Sequence, residues 1–258
     1  MTDKPLIQAL KGIRQSHPPI WLMRQAGRYL PEYRALRSEA RDFMNFCYTP
    51  DLAIEATLQP IRRFGMDGAI IFSDILVIPH ALGQDVRFVE GKGPVLDALA
   101  DNSAVSALAT TLDQERASPV YEALTKVRAQ LPETTALIGF AGAPWTLATY
   151  MVEGGSSRDF ARVKEWAYND AVGFGALMDR LVSAVTAHLI AQIDAGAEAV
   201  QIFDSWAGVL DEVMFQKWCI NPIARIVAGV KSAHPSVPVI GFPNRCGALY
   251  QAFVGGTG

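Results

Sequence analysis

The sequence predicts an α/β fold built around a parallel sheet. Five short and almost entirely apolar runs alternate with longer segments of helical periodicity. Runs of this kind suit strands that are buried on both faces, as in a parallel sheet. Strand–helix alternation favours parallel strands joined by helical crossovers. The runs cover residues 20–23, 69–72, 136–140, 199–203 and 237–242.

The segments between these runs carry recognisable start and stop signals. Residues 49–65 begin with Thr-Pro and end at glycine, which predicts a capped helix, and Ser-Pro predicts another helix over 118–131. Residues 86–95 predict a small hairpin inserted after the second strand, with its turn at the glycines. Further helices are predicted over residues 144–151, 170–195 and 209–233, the last with a break or kink at Pro222. Since no repeat or linker divides the chain, residues 1–258 are treated as a single domain.

Composition excludes several classes of protein. Half of the residues are hydrophobic and 19% are charged, which is unlike a disordered chain. The formal net charge is only −3, but residues 1–63 carry ten basic and six acidic side chains. Positive charge confined to one part of the chain indicates a small anionic ligand rather than a nucleic acid.

Targeting and metal signals are missing from the sequence. The N-terminal residues lack the apolar core of a leader, and no apolar run reaches membrane length, so the chain is expected to be cytoplasmic. Cys47, Cys219 and Cys246 are widely spaced, which is typical of reduced thiols. No cysteine or histidine pair has metal-ligand spacing, so no metal is expected.

Arginine is concentrated directly after the first predicted strand. Arg24 and Arg28 are followed by Arg34, Arg37 and Arg41. The guanidinium group is always charged and matches carboxylate and phosphate oxygens with two parallel hydrogen bonds. The segment therefore predicts a site for a polyanionic ligand.

Polar residues follow most of the other predicted strands, where chemistry collects in α/β folds. An Asp at a strand end is about as often a helix cap or an arginine partner as a functional group, but the apolar neighbours of Asp74 favour a desolvated carboxylate facing a cationic group. Composition alone favours a core role for Tyr150. Spacing alone favours helix capping by Ser205.

Taken together, these residues resemble the uroporphyrinogen decarboxylase family over the whole chain. The resemblance is carried by residues 19–28, 72–75, 139–146 and 203–208. It implies a TIM-type (β/α)8 barrel and a cytoplasmic, usually dimeric enzyme without a cofactor. Such enzymes remove carbon dioxide from the four acetate side chains of uroporphyrinogen III, giving coproporphyrinogen III.

The resemblance also implies roles for nine residues. Asp74 would bond the pyrrole N–H groups at the centre of the macrocycle and stabilise a cationic intermediate. The arginines and the backbone beside them would bind acetate and propionate carboxylates, and a tyrosine and a serine would contact the reacting acetate. These other residues are Arg24, Gln25, Ala26, Gly27, Arg28, Arg37, Tyr150 and Ser205.

Two departures from the family pattern keep alternatives open. About five of eight strand–helix units are placed before the chain stops, so we expect a C-terminally shortened decarboxylase, without the family's late histidine. A non-catalytic tetrapyrrole or anion binder is one alternative. A corrinoid-dependent methyltransferase is another, although Asn244 stands where its His-x-Cys element requires histidine before Cys246.

Overall fold

The computed structural model describes residues 4–258, which form one parallel sheet, one hairpin and the helices packed around them. Within these residues the strands are β1 (Gly68–Ile70), β2 (Val86–Val89), β3 (Gly93–Leu96), β4 (Ala136–Gly142), β5 (Ala199–Asp204) and β6 (Val239–Pro243). The helices are α1 (Pro5–Leu10), α2 (Pro31–Glu39), α3 (Phe43–Tyr48), α4 (Pro50–Phe64), α5 (Val77–Ala81), α6 (Asn102–Ala107), α7 (Gln114–Gln130), α8 (Pro144–Glu153), α9 (Ala161–Asn169), α10 (Ala171–Asp194), α11 (Glu212–Phe215), α12 (Asn221–Ala233) and α13 (Tyr250–Thr257). Short 3₁₀ turns cover Ala207–Val209 and Gly247–Leu249, and a π-helical stretch covers Gln216–Ile220.

The sheet is parallel throughout, in the order β1-β4-β5-β6. Helical segments connect its successive strands, with α8–α10 between β4 and β5 and α11–α12 between β5 and β6. Strands β2 and β3 form a separate antiparallel hairpin. The predicted parallel sheet and the predicted hairpin are both confirmed.

Alternate residues of the strands belong to two different hydrophobic clusters. Leu137 and Val200 are fully buried in the main core, which the helices cover. Ile138 points to the other face, where it packs with Leu6 of α1 and Ile70 of β1 in a small separate cluster. Helix α1 thus covers the amino-terminal end of that second face.

The predicted strand over residues 20–23 is wrong. This segment is irregular, and Ile20 is 62% exposed. The free edge of β1 is instead occupied by the side chain of Gln25, whose Nε2 donates to the Gly68 carbonyl at 2.6 Å. Its Oε1 accepts from the Ile70 backbone N–H at 3.0 Å. Because a carboxamide satisfies the edge groups that a strand would use, the described sheet has four strands rather than five.

A second glutamine marks the place where β1 and β4 separate. The Phe72 backbone N–H turns away from β4 and donates to the Thr57 hydroxyl at 2.9 Å. The Gln192 carboxamide then bonds both the N–H and the carbonyl of Phe140, at 2.9 and 2.8 Å. A Cβ atom at residue 139 would lie 2.7 Å from Gln192 Oε1, so only the glycine found there admits this side chain. The gap between the strands opens at the carboxyl end of the sheet.

Most predicted helices are confirmed, with two differences in how they begin. Helix α4 ends at Gly65 in the left-handed conformation, as predicted, but the Thr49 hydroxyl bonds a carbonyl of the preceding helix instead of capping α4. Helix α7 begins at Gln114, four residues before the predicted Ser118, because the Asp113 carboxylate caps it. Helices α8 and α10 occupy the predicted positions.

The predicted disturbance at Pro222 takes the form of a widened turn. Proline has no N–H, and its ring clashes with the carbonyl four residues before it in a regular helix. The π-helical stretch Gln216–Ile220 lies directly before Pro222 and widens the helix there. The helical path therefore continues through the proline, and it ends at His234 as predicted.

Among the described helices, α10 is long and apolar enough to cross a membrane by length and composition alone. Half of that apolar stretch is buried inside the molecule. Its buried residues belong to the main hydrophobic core, which is the setting of a core helix.

An ionic network joins α1, α7 and the amino-terminal ends of β4 and β5. Lys4 Nζ lies 2.6 Å from Glu198 Oε2 and donates to the Thr135 carbonyl at 3.0 Å. Arg128 Nη1 reaches the same carboxylate oxygen at 2.7 Å and the same carbonyl at 3.1 Å. The carboxylate also accepts from the Leu137 backbone N–H at 3.0 Å. The Lys4 side chain is only 7% exposed, so the network neutralises a charge that is nearly removed from water.

Glu198→Ala is expected to lower the free energy of unfolding by about 3 kcal/mol, because it leaves the buried Lys4 ammonium without its carboxylate. Urea denaturation monitored by circular dichroism measures this change. Glu122→Ala is the matched control, since Glu122 pairs with Lys126 on the exposed surface of α7 and its loss is expected to cost under about 0.5 kcal/mol. Equal effects of the two substitutions would show that the Lys4 network is not a major source of stability.

Candidate active site

Asp74 lies in the loop that follows β1, at the carboxyl end of the sheet. Its Oδ1 accepts a hydrogen bond from the Leu76 backbone N–H at 2.8 Å. Burial raises the pKa of Asp74 to about 6, and the Leu76 N–H and the Arg24 charge partly oppose that rise. A carboxyl with this pKa is ionised at neutral pH but poorly solvated. A cationic group placed beside it would therefore be strongly stabilised.

Tyr150, on α8, shares this environment. Burial raises the pKa of its hydroxyl, and the Asp74 charge adds to that effect. Three neighbours lower the pKa of Tyr150 again, namely Ser156, Arg24 and Trp206. The charges of Asp74 and Arg24 are therefore close enough to Tyr150 to shift its pKa, although the three residues come from different segments of the chain.

Arg37 lies on a wall formed by α2 and α3. Its guanidinium group sits over the Phe43 and Phe46 rings, 5.9 and 5.8 Å from their centroids, and Nη1 donates to the Ala40 carbonyl at 3.3 Å. Phe46 in turn contacts Phe72, two residues before Asp74, with the ring centroids 4.6 Å apart. This aromatic contact fixes the arginine-bearing wall against the loop that carries the carboxylate.

The arginines of the predicted site differ in pairing from Arg62 and Arg63. Arg62 pairs with Glu55, and Arg63 pairs with Glu32. In the part of the chain that the structure describes, no acidic side chain forms an ion pair with Arg24, Arg28 or Arg37. These guanidinium groups are free to bind anionic groups of a ligand.

The predicted backbone contacts of residues 25–27 have a specific structural basis. The Gln25 side chain is 2% exposed and is bonded to β1, so it faces away from any ligand. The Gln25 carbonyl accepts from the Tyr29 hydroxyl, and the Gly27 carbonyl accepts from Leu30 N–H at 3.0 Å. Within residues 4–258, the backbone N–H groups of Gln25, Ala26 and Gly27 donate to no protein acceptor. Those of Ala26 and Gly27 belong to partly exposed residues between Arg24 and Arg28 in the chain, and they are suited to an anionic group.

Ser205 follows β5 directly, and its neighbour Trp206 packs against Tyr150. The Trp206 and Tyr150 ring centroids are 6.1 Å apart, and the Trp206 and Phe160 centroids are 5.2 Å apart. Asn244 Nδ2 donates to the Ser205 carbonyl at 3.2 Å. Ser205 is therefore the neighbour of the loop residue that contacts Tyr150.

Sequence reasoning missed the aromatic part of this site. Phe140, Phe203 and Phe242 lie half-buried on one face of three neighbouring strands. Their rings meet edge to face, with centroids 5.5 Å apart for the first pair and 5.9 Å for the second. Each lies near the end of its predicted strand, so the alternation of faces along a strand is a signal that could have identified them.

Among the described residues, no group of three or more His, Cys, Asp or Glu side chains could hold a metal ion. Cys219 is fully buried, and burial raises the pKa of its thiol. Cys246 is 7% exposed, and burial also raises the pKa of its thiol. Neither cysteine has the depressed pKa typical of a metal-ligating thiolate.

Comparison with known proteins places the chain in a family. Residues 1–256 match the family described as Uroporphyrinogen decarboxylase (URO-D). A uroporphyrinogen decarboxylase of Rhodospirillum rubrum is 58% identical over 257 residues, covering 100% of this chain and 74% of the relative. One from Chelativorans sp. is 53% identical over 258 residues, covering 100% of this chain and 75% of the relative. The chain thus spans about three quarters of the length of these curated relatives.

Among solved structures, a methyltransferase from Methanosarcina mazei matches with a TM-score of 0.73 at 18% identity. The match covers 92% of this chain and 67% of that chain. Identity this low shows a shared fold alone.

Asp74→Asn is expected to become more stable relative to the unsubstituted chain as the pH rises from about 4 to about 7. The folded-state pKa of Asp74, about 6, lies above the unfolded value of about 4. Its contribution to stability is therefore present below pH 4 and is lost as the pH rises through 6. Urea denaturation across this range measures the effect.

Asp51→Asn is the control for this titration, because the Asp51 side chain is 89% exposed. Its stability difference from the unsubstituted chain is expected to stay nearly constant over the same range. A constant difference for Asp74→Asn as well would mean that the Asp74 carboxyl is solvated like one on the surface.

Proposed function

This chain belongs to the uroporphyrinogen decarboxylase family, and we propose that it decarboxylates the four acetate side chains of uroporphyrinogen III to give coproporphyrinogen III. One observation carries the proposal. Arg24, Arg28 and Arg37 have no acidic partner among the described residues, and Arg24 is close enough to the partly desolvated Asp74 to lower its pKa. An octacarboxylate with a macrocycle of pyrrole N–H groups complements both features.

The chemical step requires an electron sink. A ring carbon of the pyrrole is first protonated, and when the bond between an acetate methylene and its carboxylate breaks, the electron pair neutralises that cationic ring and carbon dioxide leaves. A proton then adds to the methylene carbon and the ring carbon loses its extra proton, so one proton is consumed for each carbon dioxide released. A pyrrole protonated on carbon accepts that pair, so the substrate itself supplies the sink. Asp74 is proposed to bond the pyrrole N–H groups and to stabilise this cationic ring.

The other predicted residues are proposed to bind and orient the substrate. Arg24, Arg28 and Arg37 would each bind carboxylates through paired hydrogen bonds, with the free N–H groups of residues 25–27 beside them. Tyr150 and Ser205 would contact the acetate that reacts. The proximity of Tyr150 to Asp74 supports its assignment, since each lies near the same cation.

The family resemblance is the support for two further proposals about this chain. Family members are soluble cytoplasmic enzymes, and we propose the same location here. A homodimer is proposed on the same basis. No cofactor is assigned to the reaction, because the protonated pyrrole provides the electron sink.

A non-catalytic tetrapyrrole binder is the second candidate, and the open edge of β6 and the half-buried Phe242 favour it. Such a chain would hold a porphyrinogen without releasing carbon dioxide. Only the activity assay below distinguishes it from the enzyme.

Asp74→Asn is expected to lower kcat by about 10²-fold to 10³-fold, because it removes the charge that stabilises the cationic ring. The assay is anaerobic turnover of uroporphyrinogen III, with products oxidised and separated by chromatography. Asp51→Asn is the control and is expected to keep full activity, since Asp51 lies on the exposed start of α4. Unchanged kcat for Asp74→Asn would contradict the proposed role.

Arg37→Lys is expected to raise KM by about tenfold while kcat changes less, because lysine keeps the charge but loses the planar fork and its place over two phenylalanine rings. Arg62→Lys is the matched control, since Arg62 already pairs with Glu55.

Porphyrinogen binding without carbon dioxide release by the unsubstituted chain would favour the non-catalytic binder.

A further inference from the structure

A buried threonine and a buried aspartate meet behind the proposed site. Thr146, on α8, and Asp204, the last residue of β5, are both 0% exposed. Thr146 Oγ1 donates to Asp204 Oδ1 at 2.6 Å. Thr146 Oγ1 also accepts a hydrogen bond from the Trp206 backbone N–H at 3.2 Å. One hydroxyl thus joins the end of a strand to the loop that follows it and to the helix beside it.

The same loop is held from two other directions. Trp145 Nε1 donates to the Trp206 carbonyl at 3.1 Å. From the end of β6, the Asn244 backbone N–H donates to the Asp204 carbonyl at 3.0 Å, and Asn244 Nδ2 reaches the Ser205 carbonyl at 3.2 Å. Residues 204–206 are therefore fixed by α8 on one side and by the neighbouring strand on the other.

Burying a carboxyl group here is costly for the fold. Within the described residues, Asp204 Oδ2 is buried and accepts no hydrogen bond of normal geometry, although the Cys219 thiol lies near the carboxyl. Burial raises the pKa of Asp204 to about 6. A hydroxyl-to-carboxylate bond is roughly twice as strong as a neutral hydrogen bond. Burial of the carboxylate costs free energy of folding, and the strong bond that it accepts holds the loop in place.

The loop matters because of what it carries. Trp206 contacts Tyr150, whose hydroxyl lies in the environment of Asp74, and Ser205 is adjacent to it. We propose that Thr146 and Asp204 are positioning residues, which hold Ser205 and Trp206 in the geometry that the substrate requires. This inference rests on the proposed function and extends it to two residues that do not touch the substrate.

The test compares two threonines of the same helix. Thr146→Val removes the hydroxyl that joins the loop, and Thr146→Ser restores it. Thr149→Val is the matched control, because Thr149 is 1% exposed and its hydroxyl bonds only the Trp145 carbonyl of its own helix, at 2.8 Å. Amide hydrogen exchange of a peptide spanning residues 203–210 reports on the loop without any need for activity.

Exchange in that peptide is expected to be about tenfold faster in Thr146→Val than in Thr149→Val, and near the unsubstituted rate in Thr146→Ser. In steady-state kinetics, kcat/KM is expected to fall by about tenfold to 10²-fold in Thr146→Val alone. If Thr146→Val does not fold, Asp204→Asn weakens the same bond at constant volume and is expected to speed exchange by a smaller factor.

Two results would overturn the proposal. Equal exchange in Thr146→Val and Thr149→Val would show that the hydroxyl does not hold the loop, and so would an unchanged rate in Asp204→Asn. Faster exchange with kinetics equal to those of Thr149→Val would show that the loop's position is unimportant to turnover. If the unsubstituted chain itself has no decarboxylase activity, the proposed function fails on that result, and the exchange rates still decide whether Thr146 holds the loop.

Discussion

The hydrogen-bonding groups of the β1 backbone impose the constraint on which the rest of the site depends. Strand β1 pairs with β4 on one side only, and its other edge must be satisfied without a strand. Gln25 does this with a single carboxamide, and Gln192 does the equivalent for Phe140 where β1 turns away. Buried backbone groups without partners would cost free energy comparable to lost hydrogen bonds. Amide side chains therefore satisfy both the free edge of β1 and the part of β4 that β1 leaves unpaired.

In the proposed site the arginines and the Asp74 carboxylate do not form ion pairs with each other. Asp74 is buried enough for its pKa to reach about 6, yet Arg24 is not in ion-pair contact with it. Among the described residues Arg28 and Arg37 also form no ion pair, and Arg37 is supported by two aromatic rings instead. Had these groups paired with each other, the ligand would have to break those pairs. Separation leaves both the cations and the anion available to a substrate that carries the opposite charges.

The sequence was most informative where local chemistry decides the outcome. The left-handed glycine at residue 65, the hairpin turn and the proline at residue 222 act within a few residues, and each was predicted. The arginines and Asp74 were proposed as site residues from residue type and position alone, and their roles remain a prediction. Gln25 was not, since its side chain acts on strand β1, more than 40 residues away, and nothing local distinguishes an edge-capping amide from a ligand contact. The apolar run before it was therefore misread as a strand. Thr146 and Asp204 were missed for the same reason, because their bond spans 58 residues.

The position of Gln25 has a thermodynamic consequence for the arginine segment. Its side chain closes the edge of β1, and it stands in the chain between Arg24 and the two residues whose N–H groups have no protein acceptor among residues 4–258, Ala26 and Gly27. Loss of the Gln25 bonds at the β1 edge would therefore release the backbone beside Arg24. Linkage is reciprocal, so an anion that bound the proposed site and ordered this segment would protect the sheet edge against local unfolding by the same free energy. A single carboxamide would then couple occupancy of the site to the integrity of the sheet edge.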